Sequence, residues 1–233
     1  MRFAYLLPTT LIDFPGLVAA LVYTPGCNLR CPFCHNSELV LPEKIKALDL
    51  IEEKEVLSLL DERKGFLDGL CITGGEPTLH EGLPGFIERV KRLGLAVKLD
   101  TNGMRPERLK ELLDSRSLDY VAMDVKGPPG RYSGLTGVKI NFEKIESSIR
   151  IILTQAPDYE FRTTVVPTLG LEDIKKVASL IAGAKRYYLQ RFVVPTGKEL
   201  VDPTWNERVA PSEDDLQAMW GEIKPGFPEG GAR

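Results

Sequence analysis

The sequence predicts an α/β protein with a parallel sheet and helices packed outside it. Two observations carry this. Six short apolar runs alternate with six amphipathic stretches, the order expected of repeated strand–helix units. Each apolar run also ends in Gly or polar residues, at the strand ends where such folds bind their ligands. Six units of this kind build either an open (β/α) barrel or a doubly wound sheet.

Leu17–Thr24 (LVAALVYT) reads as the first strand by its length and β-branched content, and Glu53–Arg63 as the helix of that unit. Leu67–Thr73 is the second strand, ending at Gly74-Gly75. Its helix, Leu83–Leu93, is closed by Gly94 as a C′ glycine. Leu95–Thr101 and Pro106–Asp114 form the third pair, with Pro in the tolerated first turn. Leu118–Val125 and Asn141–Leu153 form the fourth, with Asn141 placed as an N-cap. Tyr159–Val166 and Leu171–Ile181 follow, with Glu172 and Asp173 where the helix dipole favours acids. Arg186–Val194 and Ser212–Ile223 complete the series, with Ser212 as N-cap. The chain reads as one domain over 1–233, with a core from about 15 to 195 and a C-terminal extension from about 196 to 233. The polar, Pro-containing segment after Val193 reads as loop and as a surface for a partner.

Composition narrows the class. Of 233 residues, 43% are hydrophobic and 27% charged, which is the profile of a globular chain. Lys+Arg 30 against Asp+Glu 33 gives a net charge of −3, against a nucleic-acid binder. No apolar stretch reaches the roughly 20 residues of a membrane span. The apolar FAYLL near the N-terminus stops at Pro8 and lacks a cleavage site, so a reducing, cytoplasmic setting is expected.

Three of the four cysteines fall within eight residues, as Cys27-x3-Cys31-x2-Cys34. Thiolates at such spacing are soft ligands for an iron–sulfur cluster or zinc. Three thiolates on a cubane leave one iron open, which catalysis needs. Zinc, with His35 or Cys71 as fourth ligand, lacks the usual second Cys pair. Cys31-Pro-Phe-Cys34-His35 also spells a haem attachment pattern, but that requires export and a second axial ligand, with only His80 to hand. The spacing favours the cluster. Cys71, inside an apolar strand, reads as core.

With Phe33 in its aromatic position, this motif resembles the signature of the radical S-adenosylmethionine (SAM) superfamily, and Gly74-Gly75-Glu76-Pro77 is similar to its companion motif. Thr10–Gly16, Cys34-His35-Asn36, Asp100-Thr101-Asn102-Gly103, Asp124-Val125-Lys126 and Arg162–Pro167 extend the resemblance from about residue 10 to 195. They resemble the activating enzymes of glycyl-radical enzymes, and among them the activating proteins of anaerobic ribonucleoside-triphosphate reductase.

The resemblance implies a partial (β/α)6 TIM-like barrel. It implies a 4Fe-4S cluster on Cys27, Cys31 and Cys34 that splits SAM, with the electron coming from flavodoxin or ferredoxin, and a glycyl radical formed on a partner such as the anaerobic reductase. The SAM contacts it implies are Phe33, Gly74, Gly75, Glu76, Asp100, Thr101, Asn102, Asp124, Lys126, Arg162, Thr164 and Gln190. A monovalent cation would sit on Asp100, Thr101 and Asp124. Gly74 and Gly75 would let the backbone approach SAM, Phe33 would pack on adenine, and Lys126 would neutralise a carboxylate. A radical SAM enzyme acting on a small molecule or nucleobase is the alternative reading, and a zinc or haem module the third.

Overall fold

A computed structural model describes all residues, Met1–Arg233. Its strands are β1 (Arg2–Phe3), β2 (Tyr5–Thr10), β3 (Ala19–Thr24), β4 (Ile51–Glu52), β5 (Gly69–Gly74), β6 (Ala96–Thr101), β7 (Tyr120–Asp124), β8 (Tyr159–Val165), β9 (Arg186–Arg191) and β10 (Glu229–Ala232). The helices are α1 (Ser37–Val40), α2 (Pro42–Ile45), α3 (Glu53–Glu62), α4 (Leu83–Arg92), α5 (Pro106–Asp114), α6 (Pro129–Thr136), α7 (Glu143–Gln155), α8 (Leu171–Leu180) and α9 (Glu213–Ile223). All six expected strands and all six expected helices form, with ends trimmed or shifted by up to three residues.

The main sheet runs β10-β9-β8-β7-β6-β5-β3-β2 and does not close on itself. It is parallel from β3 to β10, and β2 is antiparallel to β3. This is the partial TIM-type barrel, widened by one strand at each edge. β1 and β4 make a separate two-stranded ribbon.

Successive side chains on a strand point to opposite faces. The outward set, including Val97, Leu99, Val121, Met123, Phe161 and Leu189, packs into the main core under the helices. Helix residues meet it at spacings of three and four, as with Leu83, Phe86, Ile87 and Val90 on α4. Ser212 caps α9 by accepting from Asp215 N, and Gly94 takes φ +82° behind α4. Asn141 caps one residue off: its Oδ1 accepts from Glu143 N at 3.1 Å, and α7 starts at Glu143.

The inward set differs. A small apolar plug of Phe14, Ala19, Tyr120 and Ala122 floors the barrel. Above it the inner face turns polar, with Lys98 and Asp100 on β6, Asp124 on β7, and Glu160 and Arg162 on β8. The C-terminal residues are part of the same body. Leu216, Trp220 and Ile223 of α9 are buried, and β10 pairs with β9. No helix is long and apolar enough to cross a membrane.

Candidate functional site

The C-terminal ends of the parallel strands surround a cavity of about 430 Å³. Its wall includes all fifteen residues singled out from the sequence: Cys27, Cys31, Phe33, Cys34, Gly74, Gly75, Glu76, Asp100, Thr101, Asn102, Asp124, Lys126, Arg162, Thr164 and Gln190. Tyr23, Arg191 and Val193, which the sequence did not name as contacts, also line it, as do Asp13 and His35 from the Thr10–Gly16 and Cys34-His35-Asn36 matches.

The cysteine loop follows β3 and is braced by each neighbouring segment. His80 Nε2 donates to the Pro25 carbonyl at 2.9 Å, so this ring ties the loop rather than serving as an axial ligand. Gly75 N and Glu76 N donate to the carbonyls of Thr24 and Gly26, both at 2.8 Å. Asn102 Nδ2 donates to Asn28 Oδ1 at 2.8 Å, while its own Oδ1 accepts from Met104 N at 3.0 Å. Arg30 N donates to Thr136 O at 2.8 Å, behind α6. From the C-terminal side, Val201 N reaches Cys34 O and Asp202 N reaches Pro32 O, both at 3.0 Å. Trp205 lies against Phe33 with ring centroids 5.7 Å apart. Residues 199–206 therefore form a strap behind the loop, in a stretch the sequence marked as loop and as a surface for a partner.

Several expected contacts receive other work. A Cβ on Gly75 would overlap the Gly26 carbonyl, and one on Gly74, at φ +127°, would overlap Thr24 N. These glycines let two protein loops nest; what a side chain would strike is the chain itself. Phe33, 6% exposed, packs on Trp205. Glu76 is fully buried and accepts from Thr78 N (3.1 Å), Thr78 Oγ1 (2.5 Å), Thr101 Oγ1 (2.8 Å) and Asn102 N (2.7 Å). Burial pushes its carboxyl above the usual range and the four donors oppose that. It is a strut between the loops after β5 and β6.

The inner-face charges form one chain. Lys98 Nζ pairs with Asp100 Oδ1, and Arg162 Nη1 lies 3.3 Å from Asp100 Oδ2. Arg162 Nε reaches Asp124 Oδ1 at 2.8 Å, and Lys126 Nζ reaches Asp124 Oδ2 at 2.9 Å. Burial, the largest single influence, favours the neutral acids, and Arg162 opposes it at both. Lys98 adds to this at Asp100 and Lys126 at Asp124, so both carboxyls are held below the usual range. Thr164 and Gln190 reach the wall from β8 and β9. Lys126 is mostly buried and paired with Asp124.

The cysteine side chains are free thiols. Burial pushes Cys27 up to about 11 and Cys31 up to about 12, and it raises Cys34 as well. Three thiols on one wall, one buried and two half-buried, become thiolates readily only when a cationic metal group arrives, which is the chemistry of an iron–sulfur donor set. Leu29 N already points at Cys27 Sγ, 3.3 Å away, the kind of bond that tunes a bound cluster. These residues fit the group. No three Cys, His, Asp or Glu side chains gather as a single metal ion would need. Cys71 lies in β5 beside Lys98 Nζ, at 3.7 Å, away from the cysteine loop. The expected monovalent cation does not fit: all four oxygens of Asp100 and Asp124 face protein cations, and the Thr101 hydroxyl serves Glu76 and Gly103 N.

Residues 21–181 match the radical SAM superfamily, and the chain belongs to it. Within that superfamily it is 32% identical over 214 residues to a Methanocaldococcus jannaschii protein provisionally named a glycyl-radical enzyme activating enzyme, covering 89% of this chain and 85% of that one. It is 28% identical to the pyruvate formate-lyase-activating enzyme of Clostridium pasteurianum, over 73% of this chain and 72% of that one. The fold resembles SuiB of Streptococcus suis (TM-score 0.71, 14% identity, 91% of this chain), of whose length the chain spans about half, 48%.

Proposed function

We propose that the chain is a radical SAM activating enzyme that places a glycyl radical on a partner enzyme, with an anaerobic ribonucleotide reductase as the expected partner. The observation that carries this is the seating of three free thiols and a buried network of acids and bases on one cavity wall. The two activating-enzyme relatives support the partner class.

Cys27, Cys31 and Cys34 would hold a 4Fe-4S cluster with one iron left open. When bound, that cluster, reduced by flavodoxin or ferredoxin, supplies the electron that cleaves SAM to methionine and a 5′-deoxyadenosyl radical. The chain's own residues bind, orient and screen. Arg162 and Lys126 keep donors free toward the cavity for a carboxylate, while Asp100 and Asp124 fix those bases in place. Thr164 and Gln190 offer neutral hydrogen bonds. Trp205 and Phe33 back the cysteine loop and keep water from its outer side.

The test is anaerobic iron–sulfide reconstitution, then dithionite and SAM, with 5′-deoxyadenosine measured alone and with candidate glycyl-radical proteins. Formation of 5′-deoxyadenosine together with a glycyl radical signal on the partner supports the proposal. A colourless zinc protein that forms no 5′-deoxyadenosine sinks it. Turnover of SAM without a radical on any such partner would shift the reading to a small-molecule substrate.

A further inference from the structure

We propose that Lys98 is a built-in replacement for a monovalent cation, so that the SAM site needs no bound sodium or potassium. This rests on the reading of the cavity as a SAM site. The sequence did not single out Lys98. It lies two residues before Asp100 on β6 and therefore shares the barrel's inner face. Its side chain is only 2% exposed. The ammonium lies 3.7 Å from Cys71 Sγ and 5.9 Å from the centroid of the Tyr120 ring. A buried ammonium is costly unless paired, and Asp100 Oδ1 is the pairing group.

That pairing completes a set. Asp100 Oδ2 faces Arg162, Asp124 Oδ1 faces Arg162, and Asp124 Oδ2 faces Lys126. The Thr101 hydroxyl donates to Glu76 at 2.8 Å and accepts from Gly103 N at 3.1 Å. Three protein cations thus surround two carboxylates before any ligand arrives. Glu160 Oε1 lies 3.7 Å from Arg162 Nη1 and is shared with Arg233 at 3.5 Å, so it balances part of the Arg162 charge from below. A free metal cation entering here would have to compete with a protein cation at every oxygen of Asp100 and Asp124. Of the three cations, Arg162 and Lys126 line the cavity, whereas Lys98 lies beneath it. Lys98 therefore supplies its charge to Asp100 without occupying ligand space, which is the service a structural cation would give.

The experiment compares wild type with Lys98→Ala and Lys98→Met in choline, sodium and potassium chloride at equal ionic strength. Thermal melting is read on the protein before reconstitution, and SAM affinity is read by equilibrium dialysis on the reconstituted protein. The expected result is a wild type whose melting temperature and SAM affinity do not distinguish the three salts. Lys98→Ala is expected to bind SAM about fivefold or more tightly in potassium or sodium than in choline, the lower range of site-to-site coupling. A wild type stabilised by potassium or sodium over choline overturns the inference. So does a folded Lys98 variant as indifferent to salt as wild type. If neither variant folds, the wild-type melting comparison decides. A protein that forms no 5′-deoxyadenosine in any salt would sink the proposed function, and that melting comparison would still judge the role of Lys98.

Discussion

Substituting Glu76→Gln separates a strut from a ligand. The carboxylate takes three donors on Oε1 and one, Asn102 N, on Oε2. A glutamine can keep its oxygen at the three-donor position, and its amide nitrogen then faces the Asn102 N–H. One hydrogen bond to a charged group, worth about 2 kcal/mol, is lost outright. The other three lose their charge assistance, roughly a further 1.5 kcal/mol together. Relief from burying a charge returns a similar amount, leaving a net cost of about 2 kcal/mol. In a chain of this length each kcal/mol moves the melting temperature by about 2–4 °C, so a fall of about 4–8 °C is expected. Circular dichroism melting measures it, alongside SAM affinity of the reconstituted variant, which should change less than about threefold, under 0.7 kcal/mol. An unchanged melting temperature with SAM affinity lost tenfold or more would refute the strut and make the carboxylate a ligand.

Replacing Cys27, Cys31 or Cys34 singly by Ser should lower bound iron and abolish 5′-deoxyadenosine, whereas Cys71→Ala should keep its iron; equal iron loss in Cys71→Ala would bring the fourth thiol into the site. Trp205→Ala removes a ring that is 8% exposed, and should cost about 3 kcal/mol and speed iron release to a chelator; release at the wild-type rate would deny the strap a guarding role. Asp100 and Asp124 have depressed folded pKa values, so their stabilisation is present above the ordinary carboxylate value of about 4 and is lost as pH falls through the folded values. Melting temperature should therefore drop steeply below about pH 4. Arg162→Met should remove about 3 kcal/mol at pH 7 and flatten that acid limb, and parallel acid limbs in the two proteins would contradict the assignment.

The parallel strands and their helices were legible because apolar runs and helical spacing alternate cleanly from Leu17 onward. The two edge strands were not. β2 carries Pro8, which argues against a strand except at an edge, where its missing N–H costs no ladder bond. β10 reads EGGA and has no apolar signature; it forms because its backbone finds the open edge of β9, with Gly230 close against Tyr187. Helix α6 (PGRYSGLT) has two glycines and no apolar stripe, and it is held from outside by the cysteine loop. The site residues were legible because they punctuate strand ends. Lys98 and Glu160 stand deeper in their strands, and only the sheet's two faces show that they point into the barrel. What the motif could not convey was the division of labour inside it, with Gly74, Gly75, Glu76 and Asn102 joining loop to loop.

The strap has a consequence for how the protein matures. Ser37, just past the cysteines, hydrogen-bonds Glu199, which lies 162 positions later in the chain. At roughly 5–20 residues per second, a ribosome needs roughly 10–30 s to make that stretch. During that interval the three thiols exist without the segment that braces their loop. Cluster insertion before synthesis ends would meet a loop without its brace, while insertion afterwards, through the cavity the thiols line, would meet one already held from behind. The geometry of the iron-binding loop is thereby completed only by the last part of the chain to be made.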